Sequence, residues 1–256
     1  MIMGILDNLR KMDRNSNLYT FLYASGMVIL VAALLAIAAT SLKPAQQKNK
    51  ETEKKIDILK SLGKADGVET ASNKHKFVED AFNKYIAEMF VVNSKGDKVE
   101  GVDAFSIDLK AEFAKPLEQR NLPIYKATLD DQSVKYIIPL RGRGLWGPIW
   151  GYISLNDDFN TIYGATFAHQ SETPGLGAEI NTAEFQKQFV GKSIFDVNNK
   201  FVSIAVVKGG ADKSDPHGVD AISGGTLTSK GLEAMIKDCL SSYETYFNNQ
   251  KNKNHE

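Results

Sequence analysis

With 31 Lys+Arg against 31 Asp+Glu in 256 residues, the chain is formally neutral. That excludes a general nucleic-acid binder, which needs a basic excess or stripe. A hydrophobic content of 43% excludes a mainly disordered chain, and a single cysteine, Cys239, excludes an intrachain disulfide and any cysteine-based zinc or iron–sulfur centre.

The first element is apolar: no charged residue occurs from Asn15 to Leu42. At ~1.5 Å per residue, about 20 helical residues cross the ~30 Å hydrocarbon layer, so Leu18–Leu42 is long enough to span it. Tyr19 and Tyr23 stand near one end, where aromatic rings favour the headgroup interface, and Lys43 and Pro44 close the other. A cleaved signal peptide is the competing reading, because Ala36-Ile37-Ala38 and Ala38-Ala39-Thr40 resemble cleavage sites. Signal-peptide cores run only about 7–15 residues, which favours a retained anchor. The expected organisation is a short tail over 1–17, a transmembrane helix over 18–42, a stalk over 43–75 and a domain over 76–256. Lys/Arg counting leaves the side open. Arg10, Lys11 and Arg14 precede the span and Lys43, Lys48, Lys50, Lys54 and Lys55 follow it, which would keep the domain cytoplasmic, yet long domains translocate largely regardless of charge.

Beyond the span, Ile56, Leu59 and Leu62 recur at helical spacing in a charged stretch that ends near Gly63, a short stalk helix with one apolar stripe. A loop over 67–76 leads to a helix over 76–86 with Phe77, Ala81, Phe82 and Tyr85 on one face. Strands are expected at Met89–Val92, Val134–Leu140, Tyr152–Leu155, Thr161–Phe167 and Phe201–Val207, with turns at Ser94–Asp97 and Asn156–Asp158. After Ser229, the residues Leu232, Met235, Ile236, Cys239, Leu240, Tyr243 and Phe247 mark a final helix whose buried stripe includes the cysteine. Helices interspersed with strands joined by tight turns indicate an α+β fold.

Three glycine-bearing segments carry the chemistry: Arg141–Gly151, with both tryptophans; Glu172–Glu179, containing Thr-Pro-Gly-Leu-Gly; and Asp220–Ser229, containing Ser-Gly-Gly-Thr-Leu-Thr and feeding the last helix. A Ser/Thr/Gly loop opening a helix presents unpaired amides and hydroxyls at the positive end of the dipole, a ready phosphate site. An ordinary N-cap by Thr228 or Ser229 explains the same residues. No Walker lysine and no GxGxxG are present, so nucleotide hydrolysis and a dinucleotide fold find little support. The Thr173–Gly177 turn reads as a plain loop or as the lining of a flat aromatic ligand, and the tryptophans read as core residues or as cover for a cofactor face. His169 and Glu172, three apart, read as a hydrogen-bonded turn rather than a metal pair, and no metal site is expected.

The string Ser223-Gly-Gly-Thr-Leu-Thr-Ser229 after Asp220 resembles the flavinylation signature of NqrC, the covalent-FMN member of the sodium-translocating NADH:quinone oxidoreductase, or Nqr complex. Gly144-Leu-Trp-Gly-Pro-Ile-Trp-Gly-Tyr152, Glu172–Glu179 and the single N-terminal span are similar to NqrC in the same order, so the resemblance covers nearly the whole chain. It implies FMN joined by a phosphoester bond to Thr226, with Ser223, Gly224, Gly225, Leu227 and Thr228 around the phosphate and Leu145, Trp146, Glu172, Thr173, Leu176 and Gly177 around the ring. Asp220 would present the loop to a flavin transferase. The family loop usually reads Gly-Ala-Thr, and Gly225 is a departure that keeps it small. The implied role is an electron relay between other members of the Nqr complex, coupled to Na+ export, with the domain on the outer side of a bacterial inner membrane and no nucleic acid involved. The cofactor carries such chemistry, so no catalytic side chain is needed. Two alternatives remain: RnfG of the Rnf electron-transport complex, which shares the Glu-Thr-Pro-Gly-Leu-Gly string and the threonine loop, and a membrane-tethered binding or sensor module without redox chemistry.

Overall fold

Side chains alternate between two environments along the central strands. On β4 (Val134–Arg143), Ile138 and Leu140 enter one apolar cluster and Ile137 the other; on β5 (Pro148–Asn156), Ile149, Ile153 and Leu155 enter the first and Tyr152 the second. A sheet apolar on both faces needs cover on both, and this chain supplies it. The computed structural model describes residues 13–254, divided into two compact units, Met1–Glu51 and Thr52–Glu256. Most of the expected tail, with Arg10 and Lys11, lies outside the described residues.

The described part of the first unit is helical from Asn17. α1 (Asn17–Ser61) begins there and exposes Phe21, Val28, Ile29, Leu34, Leu35 and Ile37, among other large apolar side chains. Among the described residues it is the one helix long and apolar enough to cross a membrane. Pro44 lies inside α1 and does not end it. It removes one backbone donor, and the residues that follow, rich in Gln, Lys and Glu, are good helix formers that continue the winding.

The second unit is built on a six-stranded antiparallel sheet of β1 (Ile86–Val92), β2 (Lys98–Val99), β3 (Leu122–Thr128), β4, β5 and β6 (Ile162–His169), in the order β2-β1-β3-β4-β5-β6. Two further strands, β7 (Ala205–Val207) and β8 (Gly218–Asp220), pair in parallel. Two short helices, α3 (Leu109–Phe113) and α4 (Ala183–Lys187), precede the last two. One sheet face is covered by α5 (Thr226–Ser241) and α6 (Glu244–Asn254), together with the buried rings of Phe159, Phe185, Phe189 and Phe195. The final helix is therefore two helices, broken at Ser242–Tyr243. The opposite face is covered by α2 (Lys74–Tyr85) and by the end of α1, where Ile56, Ile58, Leu59 and Leu62 are buried.

That end of α1 meets one row of the sheet. Tyr125, Ile137, Ser154 and Gly164 are successive register partners across β3 to β6. The Ser61 hydroxyl lies 2.8 Å from that of Ser154, and a Cβ on Gly164 would collide with the Ser61 carbonyl oxygen. Lys54 donates to the Phe105 carbonyl and sits 4.4 Å from that ring, while Lys55 pairs with Glu79 at 2.6 Å. The apolar stripe expected in a stalk thus belongs to a core.

β3 is not among the strands expected from the sequence, and Pro123 sits in it. The structure accommodates the proline where β3 has a neighbour on one side only: Pro123 pairs with Val91 of β1, whereas β4 joins β3 from Tyr125 onward. No ladder bond is lost there. The expected strand at 201–207 shortens to β7, preceded by an isolated bridge between Phe195 and Phe201.

Candidate functional site

β4 ends, β5 begins and β6 ends on one edge of the sheet, so the 144–147 turn and the 170–177 connection emerge side by side. The third segment arrives from β8: Asp220 closes the strand, residues 221–225 turn, and α5 starts at Thr226. The three glycine-bearing segments, far apart in sequence, therefore meet. Their junction is Glu172, buried to 5% exposure. Its Oε1 accepts from the Trp146 N–H at 2.9 Å, its Oε2 accepts from the Thr228 hydroxyl at 2.5 Å, and its own N–H donates to His169 Nδ1 at 3.2 Å. Glycines make room for this carboxylate: a Cβ at Gly144 would stand 2.5 Å from Oε1, and one at Gly177 would stand 2.5 Å from Oε2.

The start of α5 is open. Its N-cap, Gly225, offers no side-chain capping bond, so the first-turn amides lack the acceptor that a Ser, Thr or Asp cap supplies. Neither Thr228 nor Ser229 is the N-cap expected from the sequence: Thr228 turns to Glu172, and Ser229 Oγ accepts from the Ile222 N–H at 3.1 Å, bracing the loop from inside. Gly224 has φ +73°, which favours glycine, and a Cβ there would lie 2.6 Å from Leu176 Cδ2. A methyl at Gly225 would press on Ile222 Cγ2 at 3.0 Å. Thr226 is half-buried at the first helical position, between exposed Ser223 and Gly224 and exposed Leu227.

Around this opening stand large apolar side chains that the protein leaves uncovered: Leu145, Trp146 at 66% exposure, Leu176, and Leu227 at 59%. Thr173 is exposed too, and its carbonyl accepts from the N–H groups of Leu176 and Ala178. Glu172, Gly177 and Thr228, named with these from the sequence, are buried behind them. The tryptophans divide: Trp146 is open, while Trp150 on β5 is half-buried. Asp220 is exposed, six residues before Thr226, and holds the neighbouring loop by accepting from the Ala211 N–H at 2.7 Å. Sequence reasoning missed Gly231, where a Cβ would strike the Arg143 carbonyl oxygen, so a small residue lets α5 close on the end of β4. Cys239 is sealed beneath; burial pushes its thiol up to about 12, and the Arg141 N–H lies 3.4 Å from its sulfur.

An uncapped helix start with hydroxyls and a glycine cradle suits a phosphate, and an uncovered apolar rim suits a flat ring. Both belong to FMN, and the residues present fit it. Comparison with known proteins agrees. The family model of the FMN-binding domain matches residues 144–241, from the first segment through the last residue of α5. The C subunit of the Na(+)-translocating NADH-quinone reductase from Vibrio vulnificus is 35% identical over 81% of this chain and 84% of its own length. Its counterpart in Neisseria meningitidis is 34% identical over 89% of this chain and 91% of its own. Among solved structures, the same C subunit from Parabacteroides distasonis superposes with a TM-score of 0.70 at 43% identity, covering 80% of this chain and 96% of that one. NqrC of Shewanella oneidensis superposes with a TM-score of 0.67 at 26% identity, covering 80% and 99%.

Proposed function

Because the chain belongs to the NqrC family, the C subunits of the Na(+)-translocating NADH-quinone reductase, we propose that it relays electrons within that complex through FMN bound covalently to Thr226. It is a subunit of an oxidoreductase complex and contains an FMN-binding domain. The observation that carries the proposal is the convergence of three glycine-bearing segments on an uncapped helix whose first residue is a threonine. When bound, FMN supplies the electron uptake and release, which no side chain here can perform.

The protein's own share is attachment and surroundings. The Thr226 hydroxyl oxygen is the phosphoester atom, and the first-turn amides of α5 with the Ser223 hydroxyl serve the phosphate. Gly224 and Gly225 keep side chains out of its way. Leu145, Trp146, Thr173 and Leu176 flank the ring, and Leu227 extends the apolar rim. Glu172, Gly177 and Thr228 act from behind that rim. Asp220, exposed on the approach to the loop, serves recognition by the flavin transferase. Residues 18–42 anchor the protein in the bacterial inner membrane by one pass, with the FMN domain outside, and other Nqr subunits are its electron partners. Na+ export belongs to the assembled complex. The span over 18–42 holds no charged residue, and ion paths through membranes are lined by polar or ionisable groups.

Intact mass of the purified protein tests the reading, because one FMN attached with loss of water raises it by a fixed increment. A fluorescent band on a denaturing gel is expected after co-expression with a flavin transferase, and T226A should abolish both signals. A band that persists in T226A would move the attachment elsewhere.

A further inference from the structure

Glu172 hydrogen-bonds to both halves of the proposed flavin site. One oxygen holds the backbone of Trp146, the exposed ring on the apolar rim. The other holds the hydroxyl of Thr228, two residues after Thr226 in the first turn of α5. Both carboxylate oxygens are thus taken by protein donors inside a buried pocket, and Gly144 and Gly177 strip the adjoining walls to backbone so that the side chain fits. Burying a carboxylate is costly unless its hydrogen bonds are made, and removing it would leave a buried hydroxyl and an amide unpaired. Its backbone is fixed in turn by His169 at the end of β6.

We infer that Glu172 is a positioning residue that sets the acceptor helix turn against the Leu145–Trp146 loop, so that one carboxylate registers flavin attachment with ring packing. This rests on the flavin reading above. The residue acts through Trp146 and Thr228, not by contact with the cofactor.

The test uses the full-length chain co-expressed with a flavin transferase, in wild-type, E172A, E172Q and T228V forms. Intact mass reads occupancy, visible circular dichroism reads the asymmetry around the bound ring, and thermal melting reads the fold. E172A is expected to lose more than about fivefold in occupancy, the equivalent of one or two hydrogen bonds, and to flatten the visible signal of what flavin remains. E172Q is expected to restore at least half of the occupancy, because its carbonyl accepts from Trp146 and its NH2 group donates to Thr228. T228V keeps the carboxylate and removes one donor, and is expected to lower occupancy about two- to threefold. Wild-type occupancy and dichroism in E172A overturn the inference, as does an E172Q no better than E172A. If E172A fails to fold, T228V decides, and an unchanged occupancy and visible signal there are equally fatal. A wild-type protein without the FMN increment would instead overturn the flavin reading itself.

Discussion

Two regions of the second unit, one face of its sheet and one end of it, are finished differently. On the side of the α1 end, Ser61 meets Ser154, Lys54 and Lys55 lie over aromatic rings, and Ile56, Ile58 and Leu59 are fully covered. At the edge where the three segments meet, Trp146, Leu145, Leu176 and Leu227 remain uncovered and a helix begins without a cap. The first region is complete in itself. The second is shaped for something the chain does not contain, since contiguous uncovered apolar surface beside unpaired amides marks a binding site rather than a packing surface.

The contrast predicts that substitutions separate cleanly into those that cost the fold and those that cost the ligand. T226A has the largest effect: complete loss of covalent flavin by intact mass, with a melting temperature within about 2 °C of the wild type, because the side chain stands half-buried at a helix start rather than in the core. A melting point lowered far beyond that would blur the distinction. On the opposite face, G164V drives a branched side chain into the Ser61 carbonyl and should destabilise by about 3 kcal/mol, measured by urea denaturation, without changing the bound flavin's spectrum. A flavin spectrum that moved with G164V would show the two regions to be coupled.

Asp57 sharpens the same divide through pH. Burial, opposed chiefly by the charge of Lys60, raises its carboxyl from 3.8 to about 6. The folded chain therefore holds more protons than the unfolded one between about pH 4 and 6. Stability from this group is present at low pH and is lost as pH climbs through that window. D57N should stabilise by about 1–2 kcal/mol at pH 7.5 and flatten the pH dependence of urea midpoints. A variant less stable at pH 7.5 would count against the burial cost. The smallest stability effect belongs to W146A, within about 0.5 kcal/mol because the ring is exposed. Its signature should be a changed visible dichroism of the bound flavin, and an unaltered signal would remove Trp146 from the ring's surroundings.

Periodicity makes much of this fold legible in the sequence. The α2 face, β4, β5, β6 and the apolar stripe of α5 follow from residue spacing alone. β3 was missed from the sequence, although β4 was expected with Pro139 inside it; the staggered ends of β1 and β4 show why Pro123 is harmless. The break at Ser242–Tyr243 was hidden because the apolar repeat runs through it: Tyr243 and Phe247 stay buried on the far side. Pro44 looked like a terminus for the converse reason, since the helix formers beyond it outweigh one missing donor. For the site, glycine-rich strings located the segments, but spacing cannot say which side chains face outward. Glu172 and Thr228 stood in the sequence beside Thr173 and Leu227 as equals, and the buried contact between them emerges only from the long-range closure of α5 on β4.

The sealed thiol of Cys239 has a practical corollary. It is 1% exposed and a poor nucleophile near neutral pH, so maleimide and methanethiosulfonate reagents should leave the native chain untouched. A cysteine introduced at Val197, fully exposed at a turn tip, would then be the sole point of labelling. A spin label or fluorophore placed there would report distances within the assembled complex against no background and with no prior mutation of the native sulfur.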